Sequence, residues 1–166
     1  TDLAHVKVCA TIINGECVAE NGKLTVNMPD FTYPQKAKST MHITKHFSSE
    51  DFKILVPQNY TAATAKVHTI QIVEASAATK HYLASLPVCL GELKADLTQD
   101  ILKLCVIDRH SGTAEMGKGF VTGFGIQKGA VASTVAHDAH NLCVIGTNDE
   151  DMALAANTLV SCGGGM

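Results

Sequence analysis

The sequence predicts an α+β or α/β fold: a mixed β-sheet with packed helices, preceded by a small β-meander. Three observations predict it. Apolar runs near the start are broken twice by Asn-Gly, a strong hairpin signal, because both residues accept the positive φ of a tight turn. Short β-branched runs recur at 100–108, 130–135 and 142–145, each bounded by polar residues or Gly. A capped, helically spaced segment closes the chain after residue 147.

Composition bounds the rest. A chain of 166 residues is one domain, or a small domain with a piece of another. Its hydrophobic share of 46% can build a core, and its charged share of 17% argues against disorder. Thirteen Lys and Arg against sixteen Asp and Glu give a net charge of -3, so no nucleic-acid partner is expected. Trp is absent and aromatics make up 5%, which leaves no stacking platform for single strands. No apolar run approaches the roughly 18 residues of a membrane span. No secretion signal opens the chain, so Asn59-Tyr60-Thr61 is read as a chance sequon. The six cysteines form no CxxC pair, and Cys9, Cys89, Cys105 and Cys143 sit in apolar runs. They are expected as buried, reduced thiols of a cytoplasmic protein.

The elements follow in order. VKVCATII (6–13), ECVAE (16–20) and KLTV (23–26), separated by Asn14-Gly15 and Asn21-Gly22, predict a three-stranded meander. Residues 27–40 carry two prolines and no periodicity, and read as a linker. Ser48 and Asp51 are spaced as a capping pair for a short helical turn, followed by a strand from Phe52 to Val56. Residues 66–74 alternate, with Val67, Thr69, Gln71 and Val73 on one face and His68, Ile70, Ile72 and Glu74 on the other. Residues 82–93 are ambiguous, interrupted by Pro87 and Gly91. A Gly-rich stretch fills 112–129. Thr147 is the expected N-cap of the last helix, with Glu150 three residues on and three acidic residues in the first turn, and Gly163 its stop.

The chemistry-bearing residues cluster between the last two strands. Ser133, His137, Asp138, His140 and Asn141 crowd one loop. The two histidines could ligate a metal or relay a proton, with Asp138 fixing a tautomer, or the group could simply cap a strand end. Two His are too few for a closed site. Arg109 in Asp108-Arg109-His110 could hold a carboxylate or phosphate, or make a surface ion pair. The glycines lack a clean GxGxxG and are read as turns. His42 and His46 are read as solvated, and His5, His68 and His81 are given no role. HxH, HExxH, GxSxG and the HxE…PCxxC deaminase pattern are all missing, so no complete catalytic set can be assembled.

Residues 117–159, GKGFVTGFGIQKGAVASTVAHDAHNLCVIGTNDEDMALAANTL, closely resemble the C-terminal domain of adenine deaminases. Asp108-Arg109-His110 and SSEDFKI (48–54) are similar to the same family. The opening VKVCATIINGECVAENGKL resembles the last strands of the small β-sandwich that accompanies the metal-dependent amidohydrolase barrel. The resemblance implies a division at 34/35: residues 1–34 end the sandwich, and 35–166 form the C-terminal domain, truncated at its end. It implies hydrolysis of adenine to hypoxanthine and ammonia in purine salvage, with a manganese or iron ion activating water on a barrel outside these residues. The expectation for this chain is therefore no metal ligands, no turnover alone, adenine as the parent enzyme's substrate, and a cytoplasmic homo-oligomer without nucleic-acid or membrane partners. His137, Asp138, His140 and Asn141 are the residues expected near the active site. Arg109, His110 and Ser133 are expected toward substrate. A stand-alone binding or assembly module derived from the domain is the alternative reading. An autonomous small enzyme built on His137, Asp138 and His140 is a third.

Overall fold

The computed structural model describes residues 5–166; residues 1–4, the head of the predicted sandwich segment, lie outside the described residues. The chain divides into two compact units, Thr1–Gln35 and Lys36–Met166.

In the first unit, β1 (Ala10–Ile13), β2 (Glu16–Glu20) and β3 (Lys23–Leu24) form an antiparallel sheet in that order. Ile13 pairs with Glu16 and Glu20 with Lys23, so each connection is a two-residue loop. Asn14 and Gly15 take φ of 50° and 83°, and Asn21 and Gly22 take 49° and 78°. These are the left-handed values a type I′ turn requires, and they explain why Asn-Gly stands at both places. No strand residue of the meander is buried.

The predicted linker contains a single helical turn, α1 (Gln35–Lys38), directly after Pro34. Proline presets the φ of an incipient helix and lacks only an N–H that would go unused there.

The second unit is built on eight strands: β4 (Ile54–Leu55), β5 (Thr64–Ile72), β6 (Thr79–Cys89), β7 (Glu92–Leu93), β8 (Ile101–Ile107), β9 (Met116–Thr122), β10 (Ala130–Ser133) and β11 (Leu142–Gly146). They lie in the order β10-β11-β8-β9-β5-β6-β7-β4. Every pairing is antiparallel except β5 with β9. The helix α2 (Asp149–Cys162) packs on one face. The architecture is thus mostly β, an α+β arrangement. The α/β alternative fails because the sheet is antiparallel at every join but one, and among the described residues no α-helix links two of its strands.

Three local readings are corrected. The Gly-rich stretch is not all loop, because β9 runs through it. Gly117 and Gly119 stand on the sheet face away from α2, outside the main core. The ambiguous 82–93 stretch is the end of β6, a turn with Leu90 and Gly91 at positive φ, and β7. Phe52 belongs not to a strand but to a 3-10 turn, Ser49–Phe52. The predicted cap there does form: the Asp51 carboxylate accepts from the Ser48 backbone N–H at 2.8 Å and from its hydroxyl at 3.1 Å.

α2 starts one residue later than expected. Asn148, not Thr147, is the N-cap; its Oδ1 accepts from Asp151 N–H at 2.8 Å, and its Nδ2 donates to Asp151 Oδ2 at 2.7 Å. Asn is as good a cap as Thr or better, and Thr147 is used instead to pin Gly129. Gly163 stops the helix with φ 79°.

The main core lies between α2 and the sheet: Phe47, Phe52, Cys105, Ile107, Leu142, Val144, Met152, Ala156 and Leu159 are its center. A second cluster on the same face, including Leu86, Ile101 and Phe120, sits beneath β4 and β7. On the opposite face Leu102, Val121 and Ile145 are sheltered by Ile126 of the loop after β9. Close approach of α2 to β11 depends on Gly146, where an added Cβ would lie 2.4 Å from Met152 Cγ and 2.9 Å from Ala130 Cβ.

Candidate functional site

Arg109 follows β8 and is 9% exposed. Its Nε donates to the His140 carbonyl, and its Nη1 donates to the Thr40 carbonyl at 2.7 Å and the Thr40 hydroxyl at 3.0 Å. The guanidinium therefore clasps two loops, chiefly through their backbone. Around it, His42 N–H donates to the Arg109 carbonyl at 2.9 Å, and His42 Nδ1 lies 2.6 Å from the His110 carbonyl. His110 Nε2 lies 2.9 Å from the Ala139 carbonyl, and Arg109 N–H reaches Asn141 Oδ1 at 3.4 Å. His42, read as solvated, is thus part of this junction.

Asp108 turns its carboxylate onto the following loop, accepting from His110 N–H at 2.9 Å and from the Ser111 hydroxyl. The Ser111 hydroxyl, seconded by the His110 N–H, holds its pKa below the ordinary carboxylate value.

The structure brings Arg109, His110, His140 and Asn141 together, chiefly through main-chain bonds. It does not gather His137 and Asp138 into a pocket. Their Nδ1–Oδ1 pair is 3.2 Å apart, with side chains 85% and 96% exposed. His140 is exposed at φ 50°, and its N–H closes a turn onto the Ala136 carbonyl at 2.7 Å. Ser133 Oγ accepts from Val135 N–H at 3.0 Å. It lines a shallow apolar groove of about 680 Å³ at the β10 edge, beside Phe124, Val131, Val135 and Leu159.

Gly123 and Gly125 donate their N–H groups to the two oxygens of Asp100, each at 2.8 Å. That pair of donors is satisfied from within, so the Gly-rich loop serves as a turn.

The most buried ionic group escaped the sequence reading. Lys103, in the middle of β8, is 2% exposed. Its Nζ lies 2.9 Å from Glu92 Oε1, 2.8 and 3.1 Å from the two Asp149 oxygens, and 3.4 Å from the Phe52 carbonyl. One ammonium thus joins β8, β7, the 3-10 turn and the first turn of α2. Burial works to raise both carboxyls. At Glu92 the bond to Lys103 and its charge win, and the pKa falls below the ordinary value. At Asp149 burial wins, assisted by the neighbouring Glu92, and the pKa rises. The signal in the sequence was a lone Lys inside an apolar strand, but its partners are remote in the chain.

A second missed pair lies on the β5–β6 hairpin. His68 Nδ1 and His81 Nε2 are 2.7 Å apart. They are diagonal cross-strand neighbours, since His68 pairs with Leu83 and Ile70 with His81.

The six cysteines are free thiols. Cys105 is buried, with its pKa pushed up to about 12 by desolvation, and burial raises Cys143 as well. Cys9 and Cys89 are exposed, contrary to the expectation from their apolar neighbours. Cys9 precedes β1 in a meander with no buried strand residue, and Cys89 ends β6 at a turn.

Residues 76–166 match the model of the adenine deaminase C-terminal domain. This chain belongs to that family. The adenine deaminase C-terminal domain match takes in β8 through α2, and with them Arg109, Lys103 and the 133–141 loop. An adenine deaminase of Clostridium botulinum (strain Langeland) is 48% identical over 165 residues, covering 99% of this chain and 27% of that protein. The adenine deaminase of Moorella thermoacetica is 42% identical over 165 residues, with the same coverage. That of Ruegeria pomeroyi is 40% identical over 168 residues, covering 100% of this chain and 28% of that protein. The chain spans about 27% of the length of these relatives.

The metal expected of the family does not fit the residues present. Among the described residues no group of three or more His, Cys, Asp or Glu is placed to hold an ion. His137 and Asp138 project into solvent, and Glu92 and Asp149 already share the Lys103 ammonium. Among the described residues no helix is long and apolar enough to cross a membrane.

Proposed function

We propose that this chain is the C-terminal part of an adenine deaminase, which hydrolyses adenine to hypoxanthine and ammonia in purine salvage. The observation that carries the reading is near-complete coverage of the chain by relatives named adenine deaminase, at 40–48% identity. On this reading the divalent ion, manganese or iron, is held by residues outside this chain, and water attack on the purine takes place there. The residues of this chain build and brace. Lys103 locks α2 to the sheet, and Arg109 fixes the loops around Thr40 and His140. The first unit serves as the end of a sandwich domain, and the second as the C-terminal domain proper. The parent enzyme works in the cytoplasm as a homo-oligomer on a small-molecule substrate.

The assay is ammonia release from adenine, with and without manganese. It compares this chain with a polypeptide of the relatives' length that carries the same residues. Turnover by the long polypeptide alone is expected. Ammonia released by this chain alone would assign it its own active centre. An inactive long polypeptide would favour the binding or assembly module.

A further inference from the structure

The β5–β6 hairpin presents two imidazoles side by side on the sheet face away from α2. Their ring centroids are 4.9 Å apart, the planes are inclined at 30°, and the facing nitrogens are 2.7 Å apart. At that distance one N–H···N hydrogen bond joins them, so the neutral pair has one proton between two basic nitrogens. They edge a hollow of about 230 Å³ with Ile70 and Thr79. Both rings are exposed, so an ion can reach them without local unfolding.

We propose that His68 and His81 form a two-imidazole site for a divalent transition-metal ion of the copper, nickel or zinc class. Imidazole nitrogen selects these ions over magnesium or calcium, which prefer oxygen. When the donor ring passes the shared proton to solvent and takes one up on its other nitrogen, it stays neutral and both facing nitrogens offer a lone pair toward one point. With metal–nitrogen bonds of about 2.0–2.1 Å and a tetrahedral angle, the nitrogens must part to about 3.3 Å. A side-chain torsion on exposed strands supplies that opening. The strands themselves are held in register from Thr64–Pro87 to Ile72–Thr79, so both ligands are already positioned before an ion arrives. Two protein ligands leave the remaining coordination positions to water or to a donor from another molecule. Lys66 and Lys80 neighbour the pair and no carboxylate faces it on β5 or β6, so the attraction rests on the imidazoles and not on local negative charge.

The inference is independent of the deaminase reading. Its test is copper(II) titration of the chain, followed by calorimetry and electron paramagnetic resonance. Wild-type protein should take up one equivalent with a two-nitrogen hyperfine pattern. His68→Ala and His81→Ala should each weaken that step at least tenfold, and the double variant no further, as expected for one chelate. Circular dichroism melts should show both variants folded, since both side chains are exposed. A variant with Cys9, Cys17, Cys89 and Cys162 replaced by Ser separates thiol binding from the pair. Unchanged affinity in His68→Ala or His81→Ala overturns the proposal. So does loss of the two-nitrogen signal in the cysteine-replaced protein.

Discussion

Lys103 and Asp149 lie 2.8 Å apart, which ties the middle of a central strand to the first turn of the only long helix among the described residues. A charged side chain 2% exposed has left water, and only its partners make that tolerable. Removing the ammonium strands two carboxylates. Lys103→Met should therefore lower unfolding stability by about 3–5 kcal/mol in urea titrations. The triple change Lys103→Met, Glu92→Gln, Asp149→Asn should recover part of it. A single variant as stable as the wild type would show that the cluster holds nothing together.

The two carboxyls give opposite pH slopes. Glu92 has a lowered folded pKa, so its contribution is complete above its ordinary value of 4.5 and is lost as pH falls through the folded value. Asp149 has a raised folded pKa. Between 3.8 and that raised value the folded state keeps a proton the unfolded chain has released, so stability declines as pH rises through this window. In Asp149→Asn the decline should disappear, whatever the absolute loss of stability. Unfolding free energies measured from pH 3 to 8 read the slope directly.

Arg109 should prove irreplaceable by Lys. Its planar group serves carbonyls of two separate loops at once, whereas an ammonium on a flexible stem is a point charge. Arg109→Lys and Arg109→Ala should both speed amide exchange at His42, whose N–H donates to the Arg109 carbonyl, and at His140, whose N–H closes a turn onto Ala136 in the loop that Arg109 holds. Exchange at Val144, in the core, should stay slow in both.

Gly146→Ala should destabilise by about 1–3 kcal/mol, because its methyl would land on Met152 and Ala130. Combined with Met152→Ala, which opens that space, the total loss should be smaller than the sum of the two single losses. A thermal melt of the three variants decides it.

Thr69 is 1% exposed and its Oγ1 has no hydrogen-bond partner. Thr69→Val removes that buried hydroxyl while keeping the β-branched shape. It should leave stability equal or raise it by about 1 kcal/mol. A clear loss on thermal unfolding would mean that the hydroxyl has a partner.

Much of this fold was legible where local chemistry decides it. Asn14-Gly15 and Asn21-Gly22 force tight turns whatever surrounds them, and the runs at 101–107 and 142–146 are apolar enough to be central strands. β9 was hidden because its glycines face away from the main core, so its pattern lacks the usual alternation. β6 was obscured by Pro87, which the strand accommodates near its end, opposite Thr64. The site was the least legible part. The 133–141 loop looked reactive by composition, yet His137 and Asp138 stand in solvent. Lys103 with Glu92 and Asp149, and His68 with His81, depend on strand register and on helix placement, which spacing along the chain does not encode.

The parallel join of β5 to β9 is short, spanning Thr69–Gln71 against Phe120–Thr122, whereas the antiparallel hairpins on either side zip along most of their length. Each hairpin closes locally and quickly, but their union requires some fifty intervening residues to be organised first. That union is expected to set the pace of refolding. Tyr82 and Phe120, paired with Thr69 from its two sides, stand on the flanks of that join and would report its formation.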